Sequence, residues 1–236
     1  MLWPECCWLS SFIVLGRFCK VTPTIVNNTL SPFIYLASQS PRRQELLKQI
    51  GIRYEMLLPA ANEDTESIEI PHSNESAHTY VERVTKAKCQ VALKRWKENE
   101  LPWAPILCAD TTVSLPGHSE GEILGKPTNA EDAARILSML SGKVHEVITG
   151  VAVISKPEEP PLFALQVSEV KFAALTNEQI NTYIASGEPF GKAGAYGIQG
   201  LASAFICSIK GSYSGIMGLP LYETAQLLAR AQFHCI

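Results

Sequence analysis

The stretch LASQSPRRQELLKQIGI, residues 36–52, predicts the unit on which the fold is built: the end of a buried strand, a tight turn and a helix. The overlapping run FIYLAS, residues 33–38, is short and apolar, as buried strands are. Ser40 can cap the helix, Pro41 suits its first position, and Gly51 is a stop signal. We therefore predict a strand and a helix joined directly by this turn.

Two arginines, Arg42 and Arg43, stand in the first turn of that predicted helix. The helix dipole places about half a positive charge at this end, which disfavours cations and favours anions. Backbone N–H groups at a helix start bind phosphate, and arginine forks with a serine such as Ser38 add further contacts. The alternative is a capped surface helix with solvated arginines, and the stretch alone slightly favours that alternative.

Helical and strand patterns intermix along the rest of the chain, which indicates an α/β or α+β class with a mixed sheet. The helix after residue 129 has two acidic residues in its first turn, and TNEQ, residues 176–179, is a capping-box pattern. We predict further helices over 75–99, 130–141, 177–184 and 220–233, and strands over 52–59, 105–115, 145–154 and 162–175.

Composition limits the classes of function. A chain of 236 residues fits one large domain or two small lobes, and a net charge of −3 provides no basic field for nucleic acid. The seven cysteines are odd in number and include no C-x-x-C pair, which argues against a disulfide framework and a thiolate zinc site. We predict a reducing compartment, the cytoplasm.

The first 30 residues differ from the remainder. They are apolar but interrupted by Glu5 and Arg17, so they are too short and too broken for a membrane span, and they lack the basic start of a signal peptide. We predict a poorly ordered extension over 1–30 and a single catalytic domain over 31–236. A translation start set too far upstream is the other reading of this segment, and a peripheral membrane anchor is the less favoured alternative.

Several common catalytic signatures are missing from the sequence. It contains no P-loop, no G-x-G-x-x-G after a strand, no H-E-x-x-H and no G-x-S-x-G, and its five histidines show no ligand spacing. Any phosphate chemistry must therefore come from a local cluster of residues.

Asp110 stands inside the apolar strand pattern ILCADTTV, residues 106–113. A carboxylate in such a strand costs several kcal/mol unless it is paired or binds a metal. An aspartate bonded to turn amides is the structural alternative, but no turn signal follows until Pro116. We therefore predict a functional carboxylate.

Two glycine-containing loops add candidate ligand contacts. Lys126 in GEILGKP, residues 121–127, offers a compact charge suited to a triphosphate, although most loop lysines are only solvated. In GKAGAYGIQG, residues 191–200, the glycines let backbone approach a ligand, and Gln199 could read a base edge. A flexible connection is the alternative there. Together, these features indicate a phosphorylated small molecule handled with a divalent metal.

At these residues the sequence resembles the Maf family of nucleoside triphosphate pyrophosphatases, from about residue 34 to residue 228. The blocks that carry the resemblance, in register, are LASQSPRRQELL, ADTTV, GEILGKP, LSGKVHEVITG, KAGAYGIQG and GSYSGIMGLPLYET. The resemblance implies an α/β fold: an elongated mixed sheet flanked by helices, with two lobes and a central cleft, as in Maf and inosine-triphosphatase proteins. It also implies hydrolysis of a nucleoside triphosphate to the monophosphate and pyrophosphate.

The same resemblance implies roles for individual residues. Asp110 matches the catalytic proton acceptor, and Glu63 falls where the family places a second metal-associated carboxylate, although ANEDTE departs from the usual wording. Mg²⁺ is the expected ion, with Mn²⁺ or Co²⁺ as alternatives. The phosphate-contacting positions are Ser38, Arg43, Lys86 and Lys126, and those linked to base choice are Arg42, Thr111 and Gln199.

KAGAYGIQG resembles the branch of the family that acts on dTTP and UTP, so a pyrimidine nucleotide, natural or modified, is the expected substrate. The alternatives are the 7-methyl-GTP branch and a nucleotide-binding regulator of cell division with little catalysis. The resemblance makes a homodimer plausible, and neither nucleic acid nor a membrane is an expected partner.

Overall fold

The computed structural model describes residues 31–60, 63, 67–116 and 122–233. The predicted extension over 1–30 lies outside the described residues, as do parts of two loops and the last three residues. Within the described part of the chain, no helix combines the length and the apolar character needed to cross a membrane.

A mixed sheet forms the centre of the described structure. Its path runs β2-β1-β3-β5-β6-β7, and β4 pairs with the end of β3. The pairings of β1 with β2 and with β3 are parallel and the others are antiparallel, which confirms the predicted mixed α/β sheet. The strands are β1 (Ile34–Leu36), β2 (Tyr54–Met56), β3 (Ile106–Leu115), β4 (Glu122–Leu124), β5 (Val144–Ile154), β6 (Leu162–Phe172) and β7 (Ile206–Lys210).

Six α-helices flank the sheet in the described residues, together with short 3₁₀ turns at Ser67–Glu69, Ala193–Ala195 and Leu201–Phe205. The helices are α1 (Pro41–Gln49), α2 (Ala77–Glu98), α3 (Ala130–Leu140), α4 (Asn177–Ala185), α5 (Tyr213–Met217) and α6 (Leu221–Arg230).

Local side-chain signals account for most helix starts. Asn129 caps α3 by accepting from the Asp132 N–H, and α4 has the predicted capping box between Thr176 and Gln179. Ser40 stands at the N-cap of α1, but its hydroxyl makes no capping hydrogen bond. The sequence patterns missed α5, because five residues are too few to show a helical period.

Helix α2 packs on one face of the sheet, and the remaining helices cover the other. Along β3, Ile106 and Cys108 contact the cluster that includes Cys89 and Ala92 of α2. The alternate residues of β3 belong to the larger cluster formed with α1, α3, α4 and α6. This alternation is the expected period of two, and it places Asp110 on the side of α2.

A gap beside β3 creates the cleft of the protein. On the side away from β5, β3 pairs with β1 through residues 106–107 and with β4 through residues 113–115. Residues 109–112 therefore have no strand neighbour on that side in the described structure. The chain leaves β1 at this gap and enters α1, and the crevice outside a strand's carboxyl end is where open α/β sheets bind ligands.

Gly150 of β5 allows α2 to approach the sheet closely beside Asp110 of β3. It pairs with Asp110 across β5 and β3. A Cβ at this position would lie 2.5 Å from Thr85 Oγ1 and 2.9 Å from Val81 Cγ1. The missing side chain therefore sets the distance between α2 and the sheet.

We expect Gly150→Ala to lower the free energy of unfolding by about 1–3 kcal/mol, because overpacking forces α2 away from β5. Urea unfolding would measure the change. Gly125→Ala is the matched control, since a Cβ there would meet nothing within 4 Å. An unchanged stability in Gly150→Ala would show that α2 tolerates a larger separation.

Candidate active site

The gap beside β3 opens into a cleft with a volume of about 500 Å³. Its walls come from the turn before α1, the middle of β3, α2, the 3₁₀ turn at Ser67–Glu69, and the end of α5. Elements distant in sequence therefore meet around residues 109–111.

The arginine pair at the start of α1 is anchored by carbonyl groups at the end of α5. Arg43 donates from Nε to the Gly218 carbonyl at 2.8 Å, and Arg42 donates from Nε to the Met217 carbonyl at 3.3 Å. Gly218 has a φ of 115°, a left-handed conformation that suits glycine and ends α5. These bonds orient the guanidinium groups beside the cleft.

The outer nitrogens of Arg43 contact two hydroxyl groups of the cleft. Nη1 donates to Ser38 Oγ at 2.9 Å, and Nη2 donates to Thr111 Oγ1 at 3.4 Å. Thr111 Oγ1 in turn lies 2.9 Å from Thr149 Oγ1 on β5. Burial lowers the pKa of Arg43, and the nearby Asp110 carboxylate only partly offsets this effect. The guanidinium and the carboxylate are therefore close enough to interact electrostatically.

Asp110 is paired with a lysine of α2. The residue is only 7% exposed, and Lys88 Nζ lies 2.5 Å from its Oδ1. This ion pair offsets the cost of burying a carboxylate in an apolar strand. Of the two ways to accommodate a buried carboxylate, pairing with a cation is present in this structure.

A second carboxylate extends this ion pair toward the solvent. Glu69 Oε1 lies 2.7 Å from Lys88 Nζ, and Glu69 Oε2 lies 2.8 Å from Lys126 Nζ. Burial would raise the pKa of Glu69, but the two lysines outweigh that effect and bring the pKa to about 2. Glu69 is therefore ionised at neutral pH.

A smaller recess of about 50 Å³ adjoins the cleft. Arg42 and Thr111 line both spaces, and the remaining wall of the recess is largely apolar, with Val113, Tyr196 and Ile198. Because the recess is narrow and apolar with polar groups at its border, it can hold a small ring or part of one.

Residues 33–231 match the model of a protein family described as "Maf-like protein". The chain belongs to the Maf family. It is 57% identical over 200 residues to a dTTP/UTP pyrophosphatase of Ralstonia nicotianae, which covers 85% of this chain and 94% of that relative. A dTTP/UTP pyrophosphatase of Burkholderia lata is 52% identical over 212 residues, which is 89% of this chain and 98% of that relative.

Among solved structures, the Staphylococcus aureus Ham1 protein has a partial likeness to this Maf chain. The aligned region covers 59% of this chain and 71% of the Ham1 chain, with 14% sequence identity and a TM-score of 0.38. The family assignment rests on the sequence relatives.

The Maf fold brings six of the nine predicted site residues to the cleft, and their assigned roles stay predictions. These six are Ser38, Arg42, Arg43, Asp110, Thr111 and Lys126. The other three, Glu63, Lys86 and Gln199, are not among the residues that line it.

Helix α2 does not bring Lys86, the residue predicted to contact phosphate, into the wall of the cleft. Its Nζ lies 2.5 Å from Glu82 Oε1 and 5.4 Å from the centre of the Phe163 ring, outside the cleft. Lys88 faces the cleft instead, because positions two apart on a helix lie about 200° apart. The helical period of the sequence could have predicted this orientation. Lys88 stands four residues after Val84 and four before Ala92, two apolar residues that are buried in the structure.

Glu63, the residue predicted to be associated with a metal, is paired with an arginine of α2 in this structure. Arg95 contacts both of its carboxylate oxygens, with Nη2 2.6 Å from Oε1 and Nε 3.0 Å from Oε2. This hydrogen bonding lowers the pKa of Glu63, against the effect of burial. The carboxylate that approaches Asp110 through Lys88 is Glu69, which sequence patterns alone did not distinguish from the other acidic residues of its loop.

Gln199 is exposed, while its neighbour Ile198 is buried. The chain that follows turns around Glu188, whose Oε2 accepts from the Leu201 N–H at 2.8 Å. The side chain predicted to read a base edge is not among the residues that line the recess or the cleft.

The donor groups of the cleft fit a magnesium ion that arrives with a phosphorylated substrate. In the described residues, no group of three or more histidine, cysteine or acidic side chains could form a complete metal cage. Asp110 and Glu69 are the carboxylates that line the cleft. Mg²⁺ is commonly held by one or two carboxylates together with substrate phosphates and water.

A buried histidine contacts Tyr196, one of the residues that line the recess. His145 is fully buried, its Nε2 lies 2.8 Å from the Tyr196 hydroxyl, and its Nδ1 has no hydrogen-bond partner. Burial lowers the pKa of His145 to about 4. The imidazole is therefore neutral at physiological pH.

We expect His145 to contribute a fall of about 3 kcal/mol in the free energy of unfolding as the pH drops from about 6.5 to about 4. Over that interval, the unfolded chain binds a proton at His145 that the folded chain does not, so stability is complete above pH 6.5. Urea unfolding at several pH values would measure the slope. His145→Phe should remove most of this slope. His78→Gln is the control and should keep the slope, because His78 is exposed. An unchanged slope in His145→Phe would contradict the assignment.

Proposed function

We propose that this Maf protein is a nucleoside triphosphate pyrophosphatase that hydrolyses dTTP and UTP to the monophosphate and pyrophosphate. The observation that carries the proposal is a buried carboxylate, Asp110, in the same cleft as the paired guanidinium groups of Arg42 and Arg43. The relatives named dTTP/UTP pyrophosphatases support the substrate class.

Substrate binding starts at the helix α1. Arg43, Ser38 and the amides of the first turn present donors to a phosphate group, as helix starts do in other phosphate sites. Lys88 and Lys126, which also line the cleft, add positive charge. The triphosphate would therefore lie across residues 109–111, with the base toward Arg42, Thr111 and the recess.

Asp110 acts as the general base in this proposal. It accepts a proton from a water molecule whose oxygen attacks the α-phosphorus, and the bond from that phosphorus to the bridging oxygen breaks. Pyrophosphate leaves with the bonding electron pair, and Asp110 later returns the proton to the solvent. General-base catalysis typically contributes about 10²–10⁴-fold.

A divalent ion, Mg²⁺ or alternatively Mn²⁺ or Co²⁺, is part of the proposal. When bound, it would neutralise triphosphate charge and stabilise the leaving pyrophosphate. Asp110 is the residue of this chain that we assign to holding it, together with substrate oxygens. The donor chemistry of the cleft supports this assignment.

A screen of nucleoside triphosphates for pyrophosphate release, with and without a chelator, tests the proposal. We expect UTP and dTTP to be hydrolysed in preference to GTP and 7-methyl-GTP, and the chelator to stop the reaction. Binding of UTP without pyrophosphate release would favour the non-catalytic regulator instead. Preference for 7-methyl-GTP would assign the other branch of the family.

The cytoplasmic location and the homodimer stay predictions from the sequence. Light scattering on the purified full chain would measure the oligomeric state.

A further inference from the structure

Glu69 holds two of the cations in the cleft at once. Each of its carboxylate oxygens lies within 2.8 Å of a lysine Nζ, that of Lys88 on one side and that of Lys126 on the other. Lysine ammonium groups in such a cleft are also the natural partners of phosphate oxygens. The same two lysines are therefore engaged by a group of the protein and required by the proposed substrate.

Helix α2 holds the backbone of the Glu69 segment in place. The Tyr80 hydroxyl donates to the Glu69 carbonyl at 2.8 Å. Arg83 donates to the carbonyls of Ile68 at 3.1 Å and Ile70 at 3.0 Å. These bonds fix the segment through its main chain, so the position of the carboxylate between the lysines is built into the fold.

The side chain of Glu69 can leave the lysines while its backbone stays bound. Its main-chain carbonyl is bound to Tyr80 of α2 independently of the ion pair with Lys88, and its side chain is 30% exposed. Rotation about its χ angles would carry the carboxylate into solvent without breaking the contacts of Arg83. The lysines could then turn toward another anion.

We propose that Glu69 is an intramolecular competitor of phosphate for Lys88 and Lys126. A triphosphate must displace the carboxylate from these lysines, and the return of the carboxylate favours the release of pyrophosphate. This inference rests on the proposed function for the identity of the ligand. The competition itself depends only on the carboxylate, the two lysines and an oligophosphate.

Glu69 therefore lowers the affinity of the cleft for oligophosphate. Without this carboxylate, the same cations would bind oligophosphate more tightly. An apparent dissociation constant equals the intrinsic constant divided by the fraction of molecules in which the site is free to bind. Because pyrophosphate must leave after each turnover, weakened binding of this product favours repeated turnover.

A rival role for Glu69 is that of a second metal ligand beside Asp110, since both carboxylates contact Lys88. The two roles predict different results for the isosteric variant Glu69→Gln. Loss of a competitor tightens the binding of oligophosphate in the absence of metal. Loss of a metal ligand raises the metal concentration required for turnover.

The first measurement is titration calorimetry of the full chain with inorganic tripolyphosphate and with pyrophosphate, in the presence of a chelator. We expect Glu69→Gln to lower both dissociation constants roughly tenfold, because removal of one negative charge beside two lysines strengthens their attraction for an anion. Glu82→Gln is the matched control. It removes the same charge from an exposed pair with Lys86, outside the cleft, and should bind as the wild type does.

The second measurement is inhibition of UTP hydrolysis by pyrophosphate, for which Glu69→Gln should lower the inhibition constant by a similar factor. Unchanged or weaker oligophosphate binding in Glu69→Gln would overturn the inference, as would an increased requirement for Mg²⁺ without tighter binding. If the wild type released no pyrophosphate from UTP while Glu69→Gln bound tripolyphosphate more tightly, the proposed function would fail and the competition would stand.

Discussion

Asp110→Asn is expected to lower kcat for UTP by about 10²–10⁴-fold, because the amide cannot accept the proton from the attacking water. Nucleotide binding should be largely retained, since Arg42, Arg43, Lys88 and Lys126 remain. The fold should also persist, because Lys88 keeps its ion pair with Glu69 at 2.7 Å. Pyrophosphate release measures turnover, and calorimetry without metal measures binding.

Asp132→Asn is a suitable control for this prediction. Asp132 lies in the first turn of α3 and pairs with Arg135 at 2.8 Å, outside the cleft. Its variant should retain wild-type turnover. Near-normal turnover in Asp110→Asn would refute the assignment of the proton acceptor.

Lys88→Met is expected to lower kcat/KM by about 10²–10³-fold, the typical effect of removing one group that stabilises transition-state charge. It removes the charge that lies 2.5 Å from Asp110 and 2.7 Å from Glu69, so Asp110 would lose its paired lysine and Glu69 would keep only Lys126. Methionine keeps most of the length of the side chain and its packing. Steady-state kinetics with UTP would measure the loss.

Lys86→Met tests whether Lys88, and not Lys86, is the lysine of α2 that acts in the cleft. It removes the same charge from the same helix, but from a side chain that is 46% exposed and paired with Glu82. We expect its kcat/KM to stay within about twofold of the wild type, because exposed ion pairs contribute little. If Lys86→Met lost more activity than Lys88→Met, the orientation of α2 in the site would be wrong.

Much of the architecture was predictable because its signals are local. The capping box at Thr176, the apolar run before Ser38 and the alternation along β3 each depend on neighbouring residues. The short helix α5 was missed, although the carbonyls at its end orient both arginines. A helix of five residues leaves no period in the sequence.

Local sequence signals do not predict the position of Glu69. Several acidic residues stand in its loop, and no spacing distinguishes the one that reaches Lys88 and Lys126. The contacts of Tyr80 and Arg83 with the backbone of its segment make that choice. Glu63, the carboxylate predicted for the metal, is instead engaged by Arg95.

The sequence by itself determined that strands and helices alternate around a mixed sheet, that two arginines begin a helix beside a strand, and that an apolar strand carries a carboxylate. These properties depend on periodicity, capping and the cost of burying charge, all of which act over a few residues. Only the tertiary structure decided which lysine of α2 meets Asp110 and which acidic side chain joins that lysine to Lys126. Those choices depend on how α2 is turned and how closely it packs over Gly150, and packing of that kind is set by residues far apart in the chain.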